Sequence, residues 1–400
     1  MSAHSFSKIS LLPQDPIIGL TEAYREDKRL TKINLGVGVY LDSKGNLPTL
    51  NCIKTVIANK DITSAGYLPI DGSSNYCQEV KKLLFGHTNS LISENKLVTV
   101  QSLGGTGALR LGAEMLKILV PKSIVAISDP SWENHRSIFE SVGLKVVTYP
   151  YYDKSKIKIK KLEFLDRLET LPEQSIVVLH ACCHNPTGLD LENSQWSEIM
   201  SVMEKKKHIP FLDIAYQGFN KGIEEDAKII RKFVNRIRPT FVASSFSKSL
   251  SLYGERVGAL SIATDSNVDS KKVLSNLKKI VRSNYSNPPS YGQKLVTQVL
   301  TNKITRNQWD TELKMMRERI KNIRVSLVNL LNDNNLGRDF SFITSQNGMF
   351  SFTGLSENEV SKLQTDFGIY VVKSGRVCIA AINKSNIDYI ASSINTVISQ

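Results

Sequence analysis

Short apolar runs punctuate the chain at intervals. They sit at 123–128 (SIVAIS), 175–183 (SIVVLHACC), 209–216 (IPFLDIAY) and 241–246 (FVASSF), with longer helix-like stretches between them. This alternation, from about residue 50 to 310, predicts a sheet whose strands are joined by crossover helices. A helix is expected over about 17–28. A long one is expected over 304–333, where Trp309, Leu313, Met316, Ile320, Ile323, Leu327 and Leu330 recur at spacings of four and three. That spacing puts them on one face, suited to bridging two domains or, less simply, to a coiled coil. Near the start, KINLGVGVYLD is an apolar run broken by Gly36 and Gly38, a sign that something approaches the backbone closely. The tail from 340 reads as strands and helices of a second, smaller unit, with NGMFSFTGL and KSGRVCIAAIN as its strand-like parts.

Composition narrows this picture. Four hundred residues with 41% apolar and 22% charged content suit a globular protein of one or two domains. The net charge of +13 comes from lysines spread along the chain. Its densest run, KSKIKIKK at 154–161, alternates Lys with Ile, as a lysine-guarded edge strand or hairpin arm does. Nucleic-acid binding is therefore not indicated, and about fifteen residues before the first helix are too few for a helix-turn-helix module. The five cysteines (Cys52, Cys77, Cys182, Cys183 and Cys378) show no zinc spacing and are expected to be reduced thiols. No metal is expected. The N-terminus lacks a signal-peptide or transit-peptide pattern, and no apolar stretch is of membrane-spanning length, so a cytoplasmic location is expected.

The chemistry is concentrated just past the carboxyl ends of the strand-like runs. The first leads to DPSWENH, the second to HNPTG, the third carries Asp213 and Tyr216, and the fourth leads to Lys248 in a serine-rich turn. Ligands bind at the carboxyl ends of strands in open α/β sheets, so the four segments point into one crevice. Each alone has a bland reading: a loop lysine, a strand-end cap, an Asn-Pro turn, a half-buried indole. Their convergence makes the case. QSLGGTGALRLGAEML at 101–116 adds a Gly-rich turn opening a helix, whose free N–H groups and dipole favour an anion. It is neither a dinucleotide fingerprint nor a P-loop. Lys248 is the candidate to form a Schiff base with an aldehyde cofactor bearing a phosphate. Pyridoxal phosphate chemistry needs that lysine, a carboxylate at the ring nitrogen, donors to the 3′-oxygen and a phosphate cradle. Asp213, Tyr216, Asn185 and Trp132 suit the ring.

The segments GGTGALR, SDPSWENH, HACCHNPTG, FLDIAYQGF, SFSKSLSLYGERVG, RSNYSNPP, NGMFSFTGL and SGRVCIAA lie in an order that resembles class I aminotransferases of the aspartate and aromatic branch. The resemblance covers nearly the whole chain. It implies an α/β fold of fold type I, with a large domain at 46–315 built on a mostly parallel seven-stranded sheet. A smaller α/β domain from 16–45 and 316–400, and an N-terminal arm at 1–15, complete it. It implies that Lys248 carries the cofactor and moves the proton, with Asp213 at the pyridine nitrogen, Tyr216 and Asn185 at the 3′-oxygen, and Trp132 on the ring. Gly104, Gly105, Thr106, Ser245, Ser247 and Arg256 would hold the phosphate, with Tyr67 reaching in from a second subunit of a homodimer. Arg376 would grip the substrate α-carboxylate with Gly38 and Asn185, and the partner's copy of Arg282 would grip a side-chain carboxylate. Arg282 and Asn287 favour dicarboxylates, and Leu41 and Leu47 would make the mouth of the site apolar. Val39 and Thr106 lean toward the aspartate branch, whereas SDPSWENH and SLYGERVG lean toward the aromatic one. The expected reaction is ping-pong transfer between aspartate or aromatic amino acids and 2-oxoglutarate. The alternative is a lyase or decarboxylase on the same fold.

Overall fold

A computed structural model describes residues 6, 9–11, 17–58, 66–333 and 337–400. The expected N-terminal arm lies mostly outside the described residues. The centre of the molecule is a seven-stranded sheet. The strands, in chain order, are β1 (Leu97–Leu103), β2 (Ile124–Asp129), β3 (Lys145–Pro150), β4 (Ile176–His180), β5 (Ile209–Ile214), β6 (Thr240–Ser245) and β7 (Val257–Ala263). Their spatial order is β1-β7-β6-β5-β4-β2-β3, and only β7 runs antiparallel to its neighbours.

The unbroken apolar runs have a simple cause. β4, β5 and β6 are buried at every residue, because helices cover both faces of the sheet. Successive side chains point to opposite faces. Val177 and Leu179 join one core cluster with Leu212 and Val242, while Ile176 and Val178 join another with Phe211 and Phe241. All four apolar runs are parallel strands, so their loaded carboxyl ends share one edge of the sheet.

The Gly-rich segment forms helix α1 (Gly104–Leu119) directly after β1. Gly104 has φ of +67°, and a Cβ there would sit 2.7 Å from Arg256 Nη2. A side chain at that position is both strained and blocked. Helix α2 (Asn267–Asn284) follows β7, and the long helix α3 spans Lys303–Asn332. Trp309, Leu313, Met316, Ile320, Ile323 and Leu327 are buried as expected. At the end of α3, Leu331 is buried and Leu330 is only half-buried. A helix of 3.6 residues per turn carries a four-three repeat gradually round its axis, and the face has drifted by one residue there.

The tail returns to the N-terminal segment. Residues 33–34 pair in parallel with 369–370, and 350–352 pair antiparallel with 376–378. KINLGVGVYLD is a strand only at Ile33–Asn34. Its glycines admit side chains rather than backbone: a Cβ on Gly36 would lie 2.2 Å from Leu20, and one on Gly38 would lie 2.6 Å from Phe350. The Lys-Ile run makes a small hairpin, Tyr152–Asp153 against Lys158–Ile159.

Candidate active site

A cavity of about 240 Å³ lies at the carboxyl ends of β2, β4, β5 and β6. β5 contributes Asp213 from within the strand and Tyr216 just beyond it. β6 ends in Ser245, and the turn after it brings Ser247 and Lys248 to the wall. Trp132 stands beyond β2 and Asn185 beyond β4. Gly105 and Thr106, at the start of α1, face Arg256 across the same space. Gly38 and Arg376 close it from the side formed by the N-terminal segment and the tail.

Six predicted residues do not line this cavity, among them Tyr67 and Arg282, which the resemblance assigns to a partner's cavity. Gly104 stands one residue behind it, pressed against the Arg256 guanidinium. Tyr67 is 96% exposed and borders a separate surface hollow with Asn287, whose amide donates to Leu68 O. Arg282 is exposed at the end of α2 and donates to Ser286 Oγ. Leu41 is half-buried against the core and Leu47 is half exposed, and neither reaches the cavity. The apolar wall comes instead from Val37, Val39, Leu109 and Phe350. The tail curves back over the site and brings the Phe350 ring against Gly38.

Asp213 is held from behind. Its Oδ2 meets His135 Nε2 at 3.0 Å, and His135 Nδ1 meets Ser131 Oγ at 2.9 Å. Burial alone would raise the Asp213 carboxyl, but the His135 hydrogen bond, with His135 and Lys248 close by, outweighs it and holds it below the usual range. His180 is opposite Asp213 in the β4–β5 register, and burial, reinforced by His135, pushes it down to about 3. It is therefore a neutral imidazole, and both of its nitrogens are buried without a partner. The ligand atoms of His135, His180 and Asp213 lie within 4.8 Å of one another, a spacing that suits a metal ion. Both nitrogens of His135 are already engaged, however, by Asp213 and by Ser131. The cluster therefore reads as a relay that fixes the carboxylate.

Lys248 Nζ lies 5.1 Å from the centre of the Tyr216 ring. Burial pushes its amine down to about 8, Arg256 and Arg376 push the same way, and Asp213 opposes them. Burial also raises the Tyr216 hydroxyl, so it stays a phenol. Arg376 is 1% exposed. It donates to Asn185 Oδ1 at 3.0 Å and to Gly36 O at 2.7 Å, and its Nε has no partner. Arg256 donates to Ser247 Oγ at 3.3 Å and to Tyr253 O at 2.9 Å. Neither arginine meets a carboxylate in any ion pair among the described residues. Lys248, Arg256 and Arg376 thus outnumber Asp213, the one carboxylate lining the cavity. A cavity with surplus positive charge calls for an anionic ligand.

Sequence reasoning misses His135, His180, His184, Tyr253 and Phe350. The histidines stand inside DPSWENH and HACCHNPTG, and that position at strand ends is their only signal. His180 is set beside Asp213 by the β4–β5 register and His135 reaches it from the helix Asn134–Glu140, and neither arrangement is displayed by the sequence.

The donor set fits pyridoxal phosphate. It offers a buried lysine of lowered pKa, an anchored carboxylate, an indole, and a cradle at a helix N-terminus where Gly105 lies so close to Ser245 that a Cβ would sit 3.2 Å from it. With the parallel sheet, this defines a pyridoxal-phosphate enzyme of fold type I. The chain belongs to the aminotransferase class I and II family, whose model matches residues 31–394. It is 51% identical to an aspartate aminotransferase of Pseudomonas aeruginosa over 97% of this chain and 98% of that protein. It is 42% identical to an aromatic-amino-acid aminotransferase of Escherichia coli over 98% of this chain and all of that protein. A crystal structure of an aromatic-amino-acid aminotransferase from Burkholderia pseudomallei, covalently bound to pyridoxal phosphate, superposes with a TM-score of 0.95 at 49% identity, covering both chains in full. The protein is a transaminase, and the lyase or decarboxylase alternative is set aside.

Proposed function

We propose that the protein transfers an amino group between aspartate or glutamate and 2-oxo acids, and accepts phenylalanine and tyrosine measurably. The observation that carries this reading is Arg376: a buried guanidinium with one free N–H and no acidic partner among the described residues, in the same cavity as Lys248. A planar fork of donors suits a carboxylate. The relatives' names, aspartate in one case and aromatic amino acids in the other, support both substrate classes.

Arg376, with Asn185 and Gly38, would hold the α-carboxylate. Arg256, Ser245, Ser247, Thr106, Gly105 and the Gly104 turn would hold the cofactor phosphate. Asp213 would keep the ring nitrogen protonated, Tyr216 and Asn185 would donate to the 3′-oxygen, and Trp132 would lie against the ring. When bound, pyridoxal phosphate supplies the electron sink that makes the α-proton acidic. Lys248 Nζ, neutral above about pH 8, takes that proton and returns it on the same side of the cavity.

Tyr67 and Arg282 lie on exposed surface, which supports a homodimer in which each would serve the partner's cavity. The pairing of 33–34 with 369–370 supports a small domain of 16–45 and 316–400 beside a large one of 46–315. No helix among the described residues is long and apolar enough to cross a membrane. Five free, buried cysteines suit the reducing cytoplasm. The test is direct: with aspartate and 2-oxoglutarate, purified protein should form glutamate and oxaloacetate in equal amounts. Phenylalanine should be used at a lower kcat/KM, and no detectable turnover of it would reduce the reading to dicarboxylates.

A further inference from the structure

Asp190 does not line the cavity, yet its carboxylate gathers donors from three segments that do. Oδ1 accepts from His184 N at 3.0 Å. Oδ2 accepts from Cys183 N at 3.0 Å, from Asn220 Nδ2 at 3.0 Å and from Asn347 Nδ2 at 3.4 Å. Cys183 and His184 lead into Asn185, Asn220 lies four residues beyond Tyr216, and Asn347 lies three before Phe350. The contact between the first and third segments is tight. Asn347 N donates to Gly188 O at 2.6 Å, and a Cβ on Gly188 would sit 3.1 Å from Phe350 O. Arg324 braces the same strand from behind, donating to Gly348 O at 2.6 Å and to Phe350 O at 2.9 Å.

We propose that Asp190 is a positioning residue that locks the Asn185, Tyr216 and Phe350 segments together and so sets how tightly Arg376 holds a substrate carboxylate. The link to Arg376 is twofold: its Nη1 donates to Asn185 Oδ1 at 3.0 Å, and its guanidinium lies 4.3 Å from the Phe350 ring. The Phe350 ring in turn packs edge-on against Tyr216 at 6.0 Å. Only a carboxylate suits this junction, because every neighbour donates and an amide would turn an NH2 toward some of them. The junction holds a carboxyl that burial, with help from Asp226, pushes up to about 6 against its backbone donors.

The inference rests on the reading of Arg376 as the carboxylate grip. Its test uses the cofactor-loaded protein, with Asp190→Asn, Asn347→Ala and the double variant. For each, KM and kcat for aspartate are measured, with the dissociation constant of succinate, an unreactive dicarboxylate. Asp190→Asn should raise KM and the succinate constant on the order of tenfold, because a small displacement of a gripping group is costly. The change in kcat should be much smaller. The double variant should be no worse than Asp190→Asn alone, since both remove one link. If Asp190→Asn does not fold, Asn347→Ala, which spares the loop's own bonds, must show a smaller shift in the same direction. Unaltered KM and succinate binding in the variants, additive effects, or a loss confined to kcat overturns the lock. Wild-type protein that binds no succinate overturns the Arg376 reading itself, and with it the consequence claimed for Asp190.

Discussion

Asp213 and His135 meet at 3.0 Å in the interior, with Ser131 on the far side of the imidazole. The chain ties its one cavity carboxylate to a neighbour that keeps it ionised despite burial. A carboxylate in that state can hold a ring nitrogen protonated, and a neutral replacement cannot. Asp213→Asn should therefore lower kcat for aspartate on the order of a thousandfold, the scale of losing one preorganised electrostatic partner in a dry site. His135→Asn removes only the support and should cost far less. Steady-state kinetics of the two variants check the ranking, and equal losses would contradict it.

The amine of Lys248 gives a pH dependence with a definite sign. Its value is about 8 against an ordinary 10.5, so the neutral fraction grows as pH rises through 8. Capture of a simple aldehyde by the cofactor-free protein, monitored by absorbance, should rise across that pH and then level off. Arg256→Leu removes one of the cations that lower the value and should move the midpoint upward. A midpoint at the ordinary lysine value in the wild type would refute the burial argument. The same shift bears on stability. Between pH 8 and 10.5 the unfolded chain holds a proton that the folded one has lost, so this group's contribution to stability rises with pH there, and below 8 it is a buried cation. Lys248→Ala should thus abolish transamination at pH 7 yet melt no earlier than wild type.

The two arginines should separate by substrate. Arg376→Leu would remove the proposed α-carboxylate grip, which all amino acids would share. It should raise KM for aspartate and phenylalanine alike, by about a hundredfold or more, as loss of one partner of a buried charged pair does. Arg282→Leu should weaken aspartate and spare phenylalanine, which has no second carboxylate. Parallel kcat/KM measurements on both substrates decide it, and equal loss on both would remove Arg282 from the proposed site.

The strand ends are legible because each carries its chemistry within a few consecutive residues: DPSW, HNPTG, FLDIAY and SFSK. Binary patterning also places α3 correctly to within a turn. The illegible features depend on register or on distant segments. His180 stands beside Asp213 only because β4 and β5 pair in that register. Phe350 reaches the wall only because the tail folds back over Gly38. Arg324, buried in α3 at 2% exposure, reads in sequence as one more surface cation of a long helix.

Trp309 links that long helix to the reactive turn. Its side chain is fully buried and its Nε1 donates to Ser249 O at 2.6 Å, one residue after Lys248. The indole therefore fills the core and holds the Ser249 carbonyl beside Lys248. The two effects can be separated by size. Trp309→Phe keeps most of the ring but leaves the Ser249 carbonyl unpaired, which should cost about 1–3 kcal/mol of stability. Trp309→Ala also opens a cavity and should cost about 3–5 kcal/mol. Urea unfolding of both variants gives these values. If the hydrogen bond orients Lys248, Trp309→Phe should also lower kcat, at a temperature where the variant is fully folded. A Trp309→Phe protein destabilised but with wild-type kcat would show that the contact serves the core alone.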